Sequence, residues 1–183
     1  MAPNITEGWI PDAADGLVPD HSIPCDPSNY QKNAGRSVSY VVMHYTGNAK
    51  DTAQANANYF HGAGRKASAH FFVDENSIYQ SVALHDAAWH CGAKQYKHPD
   101  CRNGNSIGIE MCTSGNARIA DTTKEHAAHL CVCICRRLGI TRDQVDTYVL
   151  RHYDVTGKLC PAQMVSEPHE WTAFKERVKA IMG

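Results

Sequence analysis

The hydrophobic pattern changes character near residue 37. Before it, residues 1–36 are rich in Pro, Asp, Asn and Gly and sustain no period, which predicts an extended N-terminal arm. Val38 to Tyr45 (VSYVVMHY) is β-branched, aromatic and almost continuous, the pattern of a central strand covered on both faces. Asp51 or Thr52 can cap a helix that runs to about Phe60 and stops at the HGAG turn. AHFFVD and SIYQSVA, separated by Asp74, Glu75 and Asn76, predict a β-hairpin. Ser106 to Met111 (SIGIEM) reads as another buried strand. From Thr122 to Leu138, the positions Ala127, Leu130, Cys131, Ile134, Cys135 and Leu138 recur at helical spacing, and Gly139 ends the run. Thr147 to Arg151 predicts one more strand, and Glu170 to Met182 a terminal helix. These elements imply an α/β fold, a central mixed β-sheet flanked by helices, as a single domain over residues 37–183.

Composition narrows the function classes. Of the 183 residues, 43% are hydrophobic and 20% charged, an ordinary globular balance. The net charge of −1 leaves no basic footprint for nucleic acid or anionic lipid. No run approaches the roughly 18 apolar residues of a membrane helix. The N-terminal MAPNITEGWIPDAADG lacks the basic stretch and apolar core of a secretory signal, so the expectation is synthesis in the cytoplasm without a signal peptide. Three of the eight cysteines sit in CVCIC, inside a helical pattern, where Cys acts as a small buried hydrophobe. Mostly reduced thiols are expected. Cys91 and Cys101 are the pair to examine for a bridge.

Candidate chemistry gathers at strand ends. His44 follows the apolar run of VVMHYT, Glu110 that of SIGIEM, and His152 that of VLRHYD. In VLRHYDVTGKLCPAQ the expectation is a strand ending at His152, an exposed loop carrying Lys158, and then Cys160. Alone, that stretch reads equally well as half of a metal site or as a packed thiol beside a surface imidazole. With His44 added, two imidazoles and one thiolate make the three protein ligands of a catalytic zinc site whose fourth position is open to water. His70, in SAHFF, reads as a packed core histidine. His90, beside Trp89 in AWHCG, suits the wall of a substrate groove or an ordinary loop equally. His61, His126, His129 and His169 lie in or near helices and are expected to be solvated.

The segments VVMHYTGN, SAHFFVDENSIYQSV, AWHCG, NSIGIEMC and RHYDVTGKLCP, in this order, resemble the type-2 N-acetylmuramoyl-L-alanine amidases, a class related to the peptidoglycan recognition proteins. The likeness runs from about Ser37 to Ser166 and is strongest to prophage-type endolysin catalytic domains. It implies a zinc ion (Zn2+) held by His44, His152 and Cys160, with Glu110 as general base and Lys158 stabilising an oxyanion. From the neighbouring motifs, a groove that includes Trp89 and His90, with Thr46 and Asn105, is expected. Some phage members carry a catalytic tyrosine where this chain has Ala69, which moves that role to Glu110. The implied reaction is hydrolysis of the bond between N-acetylmuramic acid and L-alanine in bacterial peptidoglycan, with action at the cell wall after holin-dependent or external release. A non-catalytic recognition module and a cytosolic amidase recycling anhydromuropeptides are the alternatives. Cys160 argues against the first, because such modules typically lack that ligand.

Overall fold

The computed structural model describes residues 5–12, 14–33 and 35–183. The first half holds β1 (Tyr30–Gln31), β2 (Tyr40–Tyr45), α1 (Ala53–His61), β3 (Phe71–Val73), β4 (Ile78–Gln80), β5 (Ala87–Ala88) and β6 (Ser106–Met111). The second half holds α2 (Asp121–Leu138), α3 (Val145–Tyr148), β7 (Val149–Arg151), α4 (His152–Thr156), α5 (Ala162–Ser166) and α6 (Pro168–Met182). Five strands form one mixed sheet in the order β4-β3-β6-β2-β7. β3, β6, β2 and β7 run parallel, and β4 is antiparallel at the edge.

Successive side chains of a strand point to opposite faces, and that alternation divides the sheet by chemistry. Val41 and Met43 of β2, with Ile107, Ile109 and Met111 of β6, enter one large apolar cluster. Helices α2 and α6 cover it with Leu130, Cys131, Ile134, Trp171, Phe174 and Val178. The intervening positions, His44 on β2 and Ser106, Gly108 and Glu110 on β6, therefore share the other face. Cys131 and Cys135 meet at 3.9 Å inside the core, as packing residues. α1 covers part of the second face, where Ala53 and Ala57 pack with Phe72. Asp74 ties hairpin to helix: its Oδ1 accepts from the Asn76 and Ser77 backbones, and its Oδ2 from Ala53 N–H at the start of α1.

Several boundaries differ from the sequence pattern. Thr147 and Tyr148 belong to the turn α3, closed by Val149 N–H donating to Val145 O, so the strand starts at Val149. α6 begins at Pro168, two residues earlier than periodicity indicates, because proline suits a first helical turn. His152 opens a helix rather than ending a strand. The Asp154 carboxylate accepts from Arg151 N–H at 2.9 Å and from its guanidinium at 2.8 Å, which turns the chain into α4.

Described residues ahead of 37 are tied into the core. Ile5, Ile10 and Ala14 join the main cluster, and β1 pairs with β5. Buried Arg36 donates to the carbonyls of Leu84, Asn103 and Ser106 at 2.9–3.1 Å. Among the described residues no helix is long and apolar enough to cross a membrane.

Candidate metal centre

Two parallel strands and one returning loop build the centre. His44 of β2 and Glu110 of β6 are register partners. β7 pairs beside β2 and ends at Arg151 opposite Met43, which delivers His152 next to His44. After α4, Gly157 takes φ +84°, a left-handed conformation open to glycine, and reverses the chain. Lys158 and Leu159 are left exposed, and Cys160 returns to the sheet with its carbonyl accepting from Tyr153 N–H at 3.0 Å.

His44 Nδ1 lies 3.1 Å from His152 Nδ1 and 3.8 Å from Cys160 Sγ. The three donor atoms all fall within 4.8 Å of one another, and all three residues are buried. Glu110 Oε1 is 3.9 Å from His44 Nδ1, while Oε2 is buried without a hydrogen-bond partner. Burying an unpaired polar oxygen is costly. Three converging soft or borderline donors beside an unpartnered carboxyl oxygen therefore fit a metal ion with an open position. Among the described residues, two other groups of His and carboxylate lie nearer the surface, at Asp15, Glu125 and His129 and at Glu167, His169 and Glu170. Basic side chains already hold their glutamates: Arg177 on Glu125, Arg118 on Glu167 and Lys124 on Glu170.

The electrostatics agree. Burial, and then the neighbouring His90 and His152 rings, holds His44 well below the ordinary imidazole range. Burial and then the Lys158 charge bring His152 down to about 4. Both rings are thus neutral at physiological pH, with lone pairs free to ligate. Burial, reinforced by Glu110, pushes the Cys160 thiol up to about 12. A cation is needed before that sulfur becomes a thiolate. Burial also raises Glu110 to about 8, against the opposing pull of Lys158.

Two hollows open beside the centre. One, of about 500 Å³, is lined by Thr46, Asp51, Asn56, Tyr59, Phe60 and Glu110. The other, of about 560 Å³, is lined by Trp89, His90, Asn103, His152, Thr156 and Lys158 among others. The structure therefore brings together His44, His152, Cys160, Glu110, Lys158, Thr46, Trp89 and His90. Asn105 is not brought in. Its Oδ1 accepts from Arg102 N–H at 2.7 Å and its Nδ2 donates to Asp100 O at 3.0 Å, so the side chain is spent on its own loop. Asn103 lines the hollow instead. Ala69 is buried in the α1 cluster and offers no chemistry.

Sequence reasoning missed the wall supplied by α1. Ala55 and Tyr59, like Asn56 and Phe60, are four apart and share a helix face, and that spacing was the available signal. His126 is a correction: it is buried, and its Nδ1 donates to Asp74 O at 3.1 Å, because α2 lays that face on the hairpin turn. His129 is half-buried against Glu125 at 3.2 Å. His70 is a fully buried core histidine, held by Gly108 N–H and Asp86 O. Cys91 and Cys101 are free, buried thiols in mutual hydrogen-bond contact, which together with burial pushes Cys101 up.

Fold and site define a mixed-sheet α/β domain with three donors on one sheet face that could hold a metal ion. The chain belongs to the N-acetylmuramoyl-L-alanine amidase family, whose model matches residues 34–163. It is 34% identical to the N-acetylmuramoyl-L-alanine amidase CwlL of Bacillus licheniformis, over 80% of this chain and 42% of that protein. It is also 34% identical to the N-acetylmuramoyl-L-alanine amidase BlyA of Bacillus subtilis (strain 168), over 81% and 43%. The chain thus spans about two-fifths of the length of these curated relatives. Among solved structures, the catalytic domain of XlyA superimposes with a TM-score of 0.70 at 27% identity, covering 88% of this chain and 98% of that one.

Proposed function

We propose that this chain is a zinc-dependent amidase that cleaves the bond between N-acetylmuramic acid and L-alanine of bacterial peptidoglycan. The observation that carries the reading is the convergence of His44, His152 and Cys160 within 4.8 Å beside buried Glu110, in a chain of the amidase family. When bound, zinc supplies Lewis acidity, making water nucleophilic near neutral pH and polarising an amide carbonyl.

The chain's own groups do the rest. Glu110 faces the centre from the sheet and takes the proton from the attacking water, then returns it to the leaving amine. Its raised pKa suits both directions of transfer, since a group near the working pH gives up a proton as readily as it accepts one. Lys158 stands on the exposed turn and presents its ammonium to the developing oxyanion from the His152 side. Trp89 offers an apolar wall to the glycan or peptide, and Thr46 a hydroxyl beside Glu110. Residues 37–183 form the zinc amidase catalytic unit, residues 1–36 are an N-terminal arm, and the cell wall is its place of action.

The test uses purified sacculi, soluble muropeptides and a zinc assay. Release of stem peptides with free L-alanine amino groups from sacculi, lost in a His44→Ala variant without zinc, is the expected result. Full activity of a zinc-free variant would sink the reading. Cleavage confined to soluble anhydromuropeptides would reassign it to recycling, and zinc binding without cleavage to a recognition module.

A further inference from the structure

His90 sits behind the centre rather than simply on the groove wall. It is 9% exposed, and its Nδ1 lies 2.9 Å from His44 Nε2, the ring nitrogen facing away from Cys160 and His152. On the far side, His90 Nε2 lies 3.1 Å from Ser106 Oγ. Ser106 Oγ is 2.6 Å from the Arg102 carbonyl oxygen.

With His90 neutral, proton accounting along this row has one solution. A carbonyl oxygen accepts only, so the Ser106 hydroxyl proton goes to Arg102 O. Ser106 Oγ is then an acceptor towards His90, and His90 Nε2 carries the proton. Neutral His90 must leave Nδ1 bare, so Nδ1 accepts from His44 Nε2–H. His44 Nδ1 is therefore the bare nitrogen, and it is the one that faces Cys160 and His152. We infer that His90, oriented by Ser106, is a positioning residue that fixes the His44 tautomer and ring angle and so sets the affinity of the centre for zinc.

Two further features hold the relay in place. A Cβ at Gly108 would lie 2.6 Å from His90 Cγ and 2.8 Å from its Nδ1, so β6 makes room for this ring by having glycine at that point. The Asn103 side-chain oxygen accepts from His90 N–H at 3.1 Å and Cys91 N–H at 2.8 Å, which pins the backbone that carries the ring. Groups that accept from a ligating imidazole raise its basicity, and their loss typically costs about 10–100-fold in metal affinity.

The inference rests on the zinc reading, and the experiment separates the two. Zinc dissociation constants are measured by chelator competition for wild type, His90→Leu, His90→Asn and Ser106→Ala, alongside nitrogen-15 shifts of the His44 ring in the zinc-loaded protein. Asparagine places Oδ1 where His90 has Nδ1, so it restores the acceptor. His90→Leu is expected to weaken zinc binding about 10–100-fold and to move the His44 Nε2 signal away from its hydrogen-bonded position, with His90→Asn recovering most of both. Ser106→Ala is expected to lie between wild type and His90→Leu, and it carries the test if His90→Leu does not fold. Unchanged zinc affinity and unchanged His44 shifts in the folded variants would overturn the inference while leaving the amidase reading intact. A wild-type protein that binds no zinc would overturn both.

Discussion

His44 and Glu110 stand opposite each other in register on neighbouring parallel strands, with Glu110 Oε1 3.9 Å from His44 Nδ1. Because the pairing is set by backbone hydrogen bonds, the carboxyl is held beside the centre whether or not an ion is present. Replacing it by an amide keeps the shape and removes the proposed proton shuttle. Glu110→Gln is expected to lower kcat by about 10²–10⁴, the usual range for general acid–base catalysis, with zinc content unchanged by metal analysis. Undiminished turnover would remove Glu110 from the reaction.

Lys158 occupies an exposed turn and its side chain makes no hydrogen bond among the described residues, so its loss leaves the fold intact. Lys158→Ala should reduce turnover on the order of 10²-fold, as for one oxyanion donor, with an unaltered melting temperature and zinc stoichiometry. A change confined to KM would indicate a role in substrate binding alone.

The Cys160 thiol, raised to about 12, is protonated at neutral pH without a cation, whereas both imidazoles are already neutral. Ligation therefore drives a proton off the sulfur. Calorimetry of zinc binding at pH 7.5 in buffers of different ionisation enthalpy should show about one proton fewer released by Cys160→Asp than by wild type. Equal release by the two proteins would mean that the sulfur is not a ligand.

In the metal-free protein Glu110 has a folded pKa of about 8 against an ordinary 4.5. Between these values the folded state binds the extra proton, so rising pH favours unfolding, and the contribution present below 4.5 is lost by about pH 8. His152, lowered to about 4 from 6.5, has the opposite sign, adding stability as pH rises from 4 to 6.5. The two oppose each other up to pH 6.5, and Glu110 alone of this pair acts beyond it. The melting temperature of metal-free Glu110→Gln should accordingly gain on wild type by several degrees between pH 6.5 and 8. Parallel curves across that window would show that Glu110 ionises freely.

Much of the fold was legible because period-two and helical spacing are local. VVMHY and SIGIEM announced the two central strands, and the Cys131–Leu138 spacing announced α2. The short turns were less legible. Whether Tyr148 ends a helix or His152 begins one depends on single hydrogen bonds, Val149 to Val145 and Arg151 to Asp154, that apolar pattern does not encode. The His126 burial was missed for a related reason, since only packing on the Asp74 turn removes it from water.

By itself the sequence determined which residue types stand where chemistry could be carried. An imidazole or carboxyl closing an apolar run, and a thiol after a Gly-Lys turn, are features of the chain, and their order carried the family likeness. Tertiary structure alone decided how they relate. The 3.1 Å approach of His44 and His152 joins residues 108 positions apart. The side chains of Asn105 and Asn103 differ in role only because one is captured by its own loop and the other faces the hollow. His90 became a partner of His44 rather than a plain groove wall because parallel strands β2 and β6 place Gly108 where its ring must lie. Such relations arise from strand register and side-chain facing between distant segments, and no local pattern contains them.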